Sequence, residues 1–183
     1  MSDPSSRARA LESQVFDEWP SELRALFDGT ALARETGFTA SLVTVDANGH
    51  LRTSLLSLGE LYAPDARTLS FSLWPGARAA RALTEQATKG SARAALTFVH
   101  DSAFYQVQLN VDILPDDGEL ACFKASIDTG ELQRVAYARL TGGIAFELAD
   151  ESRNAVLDRW RSQVDRLRLA AQNRRAARGA SGD

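Results

Sequence analysis

The constraint that most narrows the fold is a strict two-residue alternation over residues 104–114. Val107, Leu109, Val111 and Ile113 interleave with Gln106, Gln108, Asn110 and Asp112. That period belongs to a strand with one face on a core and one face in water. Similar short strands recur at close spacing. Phe38 to Val45 is β-rich and runs into Asn48-Gly49, a dipeptide that supplies the positive φ angles of a tight hairpin. A return strand is expected from about His50 to Tyr62. Leu69, Phe71 and Leu73 alternate with Ser70, Ser72 and Trp74, and Pro75-Gly76 ends the run. Ala92 to Val99 is apolar on both faces, as in a central strand. Ile144 to Leu148 follows Gly142-Gly143 as a sixth strand. Strands in sequence order at short spacing favour a small antiparallel barrel over a doubly wound parallel sheet.

Helical spacing predicts the remaining elements. Ala8, Leu11, Val15 and Trp19 fit one helix that Pro20 ends, and Ser21 opens a second carrying Leu23, Leu26 and Phe27. A third turn covers Thr30 to Thr36. Ala77 to Ala87 reads as a helix, two short helices are expected between Glu119 and Leu140, and Asp116-Asp117 reads as a turn. Leu157, Trp160, Val164, Leu167 and Ala171 form the stripe of a final helix beginning near Asp150. The expected organisation is one domain over 1–172, with a helical segment at 7–36, a barrel at 38–148 and a helix at 150–172. Residues 173–183, rich in arginine, glycine and serine, are expected to be a disordered tail.

Composition excludes several function classes. The net charge of −3 on 183 residues argues against nucleic acid as a partner. No apolar run approaches the ~20 residues of a membrane span. No apolar stretch follows Met1 to Arg7 as in a secretory signal, so a cytoplasmic location is expected. Cys122 is the single cysteine, which excludes an internal disulfide, and its setting beside Phe123 reads as packing. His50 and His100 lack a ligand-like third partner, so no metal site is expected. Lys89 and Lys124 are the only lysines, leaving 19 of the 21 basic residues as arginine, the better bidentate ligand for phosphate.

Three segments carry polar groups suited to a ligand. Arg52 and Ser54 share a strand face and offer a charged fork and a hydroxyl to an anion. The alternative is a solvated edge strand. Arg78 stands in the first turn of a helix, where a cation is disfavoured unless an anion is near. Gln106 can read the edge of a heterocycle, or can simply solvate its strand. If Arg52 and Arg78 are only surface residues, acids such as Glu60 or Glu85 are their expected partners.

Taken in order, these segments resemble the FMN-binding split-barrel family typified by pyridoxamine 5′-phosphate oxidase. The family's R-x-V-L-L-K strand is matched at Arg52 to Ser57, with Arg52, Leu55 and Leu56 in register. Its F-Y-T-N-x-G-S-R-K segment is matched at Phe71, Gly76 and Arg78. Its R-V-S-L-L-F and R-Q-V strands are matched by Arg93 to Phe98 and by Tyr105-Gln106-Val107. The resemblance covers residues 38–114 well. It implies a mainly β, six-stranded antiparallel split β-barrel with helices at both termini and between strands. It also implies a cytoplasmic FMN-dependent oxidoreductase of unknown substrate. Arg52 and Arg78 would hold the FMN phosphate, Thr53, Ser54, Leu55, Ser72 and Leu73 would line the ribityl chain and ring, and Gln106 would reach the isoalloxazine. The family builds such sites at the interface of a homodimer. This sequence departs from the family in five places: Ser57 replaces a substrate lysine, Ala79 replaces a phosphate-binding lysine, Ser72-Leu73 replaces a Tyr-Thr pair, the hairpin between Ser57 and Ser72 is longer, and a long helix with Trp160 stands in place of the oxidase's C-terminal strand region. The departures imply a relative of the oxidase rather than the oxidase itself. They leave open a deazaflavin-type cofactor, or a module that binds ligand without catalysis.

Overall fold

A computed structural model describes residues 11–115 and 118–179. In chain order the elements are β1 (Leu11–Phe16), α1 (Ser21–Leu26), β2 (Ala40–Val45), β3 (Leu51–Leu56), a 3₁₀ turn (Leu58–Glu60), β4 (Leu61–Tyr62) and β5 (Thr68–Leu73). There follow α2 (Arg78–Thr88), β6 (Arg93–His100), β7 (Ala103–Leu114), β8 (Ala121–Val135) and α3 (Arg153–Gly179). Every ladder is antiparallel.

The sheet has eight strands in the order β3-β2-β6-β7-β8-β5-β4, and β1 also pairs with β8. One edge of β8 pairs with β7. The other edge holds β5 along its first half and β1 along its second. The two ends of this path, β3 and β4, are consecutive in the chain and are separated only by Ser57 to Glu60. The sheet must therefore curl until its ends nearly meet. Among the described residues no ladder joins β3 to β4 or β5, so the barrel stays open along one seam. This is a mainly antiparallel split barrel with three α-helices among the described residues.

Turn chemistry sets the register. Gly49 takes φ +79° in the β2–β3 hairpin, and Asp46 Oδ1 accepts from the backbone N–H groups of Asn48 and His50. In the β6–β7 hairpin Asp101 and Ser102 take φ of 45° and 60°, so two non-glycine residues meet the demand of a two-residue turn. Leu42, Leu96, Val107, Leu109, Phe71 and Phe123 project into the barrel. Phe98 stacks on Tyr105 with ring centroids 5.0 Å apart, and Phe27 meets Phe98 edge-on. The buried face of α2, Ala79, Ala80 and Leu83, joins this core, and Gln86 Nε2 donates to Val45 O at 2.8 Å.

Helix α3 lies outside, across the seam and β5. A Cβ on Gly59 would run into Trp160, and one on Gly29 would come within 2.7 Å of Val164. Farther along, Leu167 and Ala170 pack with Leu114, Leu120 and Cys122. Arg174 closes the contact by donating to Ile113 O at 2.7 Å and pairing with Asp112 at 3.0 Å.

Several sequence expectations change. The sheet has eight strands, not six. The helix expected to end at Trp19 is strand β1 over Leu11–Phe16 and irregular backbone from Asp17 to Trp19, Ala8 lying outside the described residues. The two helices expected over 119–140 are largely the 15-residue strand β8. Ile144 to Leu148 is irregular backbone, and Thr30 to Thr36 is a set of bends and turns. The return strand is interrupted by the 3₁₀ turn. Helix α3 runs on to Gly179, into the stretch expected to be a tail. Asp116-Asp117 and residues 180–183 lie outside the described residues.

Candidate functional site on the open face of the barrel

Register carries a row of side chains across four strands. Leu55 of β3 faces Ser41 of β2, Ser41 faces Thr97 of β6, and Thr97 faces Gln106 of β7. The neighbouring row runs Thr53, Val43, Ala95 and Gln108. Residues directly opposite one another share a sheet face. Leu42, Leu96 and Val107 alternate with these rows and are buried, so the rows form the outer face. Every member is half-buried or exposed, and Leu55 keeps 54% of its surface. The outer face is thus a shallow platform of hydroxyls, amides and aliphatics, and it brings Thr53, Leu55 and Gln106 together.

The other expected site residues lie elsewhere. Arg52 and Ser54 sit on the opposite strand face, across from Thr44 and Leu42. Arg52 Nε donates to Asp46 Oδ2 at 2.9 Å, so the arginine is held by the acid of its own hairpin. That bond is the main cause holding the Asp46 carboxyl below its usual range. Neither acid expected as an arginine partner serves: Glu85 pairs with Lys89 at 2.7 Å, and Glu60 bonds to Ser57.

Arg78 is the first residue of α2. It is exposed, and no ion pair or hydrogen bond ties it to the described residues. The first turn of α2 holds no acidic residue, and its N-cap Ala77 makes no side-chain cap. A cation beside open helix N–H groups is a place for an anion. Gln86, eight residues along, touches the end of β2, which puts Arg78 about 12 Å farther along the helix axis.

Ser72 and Leu73 are buried. Leu73 points into the barrel core. Ser72 pairs with Cys122 and shares its face, the one covered by α3. Ser70, on the same face, is also fully buried, and neither hydroxyl has a hydrogen-bond partner. The Oε1 atom of Gln163 on α3 is likewise buried and unpartnered.

Glu60, expected from the sequence only as a surface partner for an arginine, instead lines a cleft. Its signal is the capping-box pattern Ser57-Leu58-Gly59-Glu60. Ser57 donates to Glu60 Oε2 twice, from its backbone N–H at 2.6 Å and its hydroxyl at 2.9 Å. Burial raises the Glu60 carboxyl above its ordinary value, an effect larger than the opposing pull of the Ser57 bonds and of the Arg159 charge. Glu60 lines a cleft of about 330 Å³ together with Leu55, Ser57, Phe146, Arg159 and Trp160. A second cleft of about 350 Å³ lies near His100, Asp101 and Arg139. Among the described residues no cluster of His, Cys, Asp and Glu is arranged to hold a metal, and no helix is long and apolar enough to cross a membrane.

No family model and no curated protein matches this chain. Solved structures do. A protein of Lactobacillus delbrueckii described as a candidate pyridoxamine 5′-phosphate oxidase is 16% identical, with 63% of this chain and 94% of that chain covered and a TM-score of 0.47. An F420 reductase is 12% identical over 61% of this chain and 98% of that one, with a TM-score of 0.45. A Clostridium acetobutylicum protein of the pyridoxinephosphate oxidase family, related to general stress protein 26, is 13% identical over 68% and 96%, with a TM-score of 0.42. This chain is a mainly antiparallel split barrel, similar in fold to these pyridoxamine 5′-phosphate oxidase-like structures.

Proposed function

We propose that this chain binds FMN on the outer face of β3, β2, β6 and β7 and serves flavin-dependent oxidoreduction. One observation carries the reading. Thr53 and Leu55 of one strand segment and Gln106 of another, at opposite ends of a four-strand row, fall in adjacent register rows on one open face. A shallow mixed surface with a terminal amide suits a heterocycle that has both apolar rings and polar edges. Arg78, without an acidic partner, suits the phosphate. Arg52 suits it less, because Asp46 already occupies its guanidinium. The Ser72 side chain does not fit a cofactor contact, being sealed beneath α3, and Leu73 is committed to the core. Bound flavin would supply hydride or electron transfer, and the protein would supply position and electrostatics.

The same face supports a homodimer. Leu51 is 73% exposed, Leu55 54% and Val45 40%, all on or beside the platform. A second copy would cover them by two-fold association, the commonest closed symmetry, and would enclose the cofactor between chains. Light scattering is expected to give about twice 19.9 kDa. A monomer that retains tight FMN binding contradicts this arrangement.

The cofactor test is an FMN titration followed by flavin fluorescence and by melting temperature. A ligand that binds only the native state must stabilise it. Arg78→Ala is expected to weaken FMN about 10- to 100-fold, since a charge-assisted bond contributes roughly 1.5–3 kcal/mol and 1.4 kcal/mol is tenfold. Arg52→Ala is expected to cost less than Arg78→Ala, and riboflavin affinity should respond to neither. Saturating FMN that changes neither fluorescence nor melting temperature overturns the assignment.

A further inference from the structure

The cleft at Glu60 is not explained by the flavin reading. Its walls are mainly aliphatic and aromatic: Leu55 from β3, Ile144 and Phe146 from the irregular segment after β8, and Val156 and Trp160 from α3. Phe146 and Trp160 meet edge-on at 6.0 Å and form one corner. At about 330 Å³ the space equals roughly ten water volumes, enough for a ligand of about ten non-hydrogen atoms.

One charged group is built into this apolar setting. Both hydrogen bonds to Glu60 fall on Oε2, so its position is fixed by the Ser57 backbone and hydroxyl. Its other oxygen, Oε1, accepts nothing from the described residues, yet it is not among the atoms sealed from solvent. The carboxylate is thus anchored through one oxygen and presents the other. Burial penalises its charged form by more than the Ser57 bonds and the Arg159 charge offset, and a cation delivered to Oε1 relieves the remainder. Arg159 also lines the cleft, but it is exposed on α3 and makes no ion pair or hydrogen bond with the described residues. The charge fixed by hydrogen bonds is negative, whereas the positive one is at the solvent edge.

We propose that this cleft is a binding site for a small aliphatic primary amine, with Glu60 Oε1 accepting from its ammonium and the hydrocarbon body lying among Leu55, Ile144, Val156 and Trp160. The aromatic faces of Phe146 and Trp160 add favourable contact for a cation. The amine site stands independently of the flavin reading. Only its place beside the proposed flavin face, through the shared Leu55, rests on that reading.

The test uses the full chain as purified and three probes of one shape: cyclohexylmethylamine, cyclohexylmethanol and cyclohexylacetate. Binding is followed by calorimetry and by tryptophan fluorescence. The amine is expected to bind at least tenfold more tightly than either control. Glu60→Gln keeps an oxygen for Ser57 to donate to while removing the charge, and it is expected to bring amine and alcohol to equal affinity. Ala145→Trp, at an exposed position on the rim, should block all three probes while leaving FMN affinity unchanged, and it serves if the Glu60 variant fails to fold. The proposal is overturned if the alcohol or the carboxylate binds as well as the amine, if Glu60→Gln keeps the tenfold preference, or if no probe binds up to its solubility limit. Loss of FMN binding with the amine preference intact removes the flavin reading alone.

Discussion

Alternation told which strand residues share a face, but it could not tell what covers that face. Thr53, Leu55 and Gln106 lie where period two puts them. Ser72, read by the same rule as a polar residue facing outward, does face outward from the barrel, and there it meets α3. Arg52 shows a second limit: its partner Asp46 comes from the turn of its own hairpin, a pairing that depends on how the turn folds rather than on strand spacing. The orphaned hydroxyls lead to a stability prediction. A buried polar group without a partner costs about 1–3 kcal/mol, and removing it in place can stabilise. Ser72→Ala is expected to raise the unfolding free energy by about 1 kcal/mol in urea titration and to leave FMN affinity as it was. A stability loss would mean that the hydroxyl is hydrogen-bonded, for instance to a buried water.

Elements were legible where their periodicity had one interpretation. The strand at 103–114, the helix at 78–88 and the start of the last helix follow their patterns closely. β1 did not, because Leu11 and Val15 are four residues apart, and four is both a helical step and an even number. In the strand the two share its outer face, 55% and 70% exposed. β8 is hidden in the sequence for a different reason. Its inward residues include Ala125 and Gly130, which give almost no hydrophobic signal, and Thr129-Gly130 looks like a turn. Gly130 is required by close approach: a Cβ there would enter the ring of Phe16 across the β1–β8 ladder. Gly130→Ala is expected to destabilise the protein by roughly 1–3 kcal/mol through overpacking. Combining it with Phe16→Leu, which makes room, should cost less than the sum of the two changes, measured as a double-mutant cycle.

At the scale of the whole molecule, a small antiparallel barrel could be inferred from the spacing of strands, but its closure could not. Closure depends on β3 and β4 being path ends joined by four residues, and on α3 lying over that junction at Gly59. Seam and helix should therefore open together. In native-state hydrogen exchange the amides of β4, β5 and α3 are expected to share one opening free energy. Gly59→Ala, which drives a methyl into Trp160, should lower all of them in step. If α3 exchanges independently of β4 and β5, this coupling is absent.

Among the described residues the seam also leaves strand edges without neighbours, β3 on one side, and β4 with the part of β5 beyond their short pairing on the other. Unpaired backbone groups on such edges are templates for a strand from another molecule. Because α3 packs over the junction at Gly59 and along β5, a foreign strand adding at that side of the seam would have to displace the helix, which ties resistance to edge-to-edge association to the docking of α3.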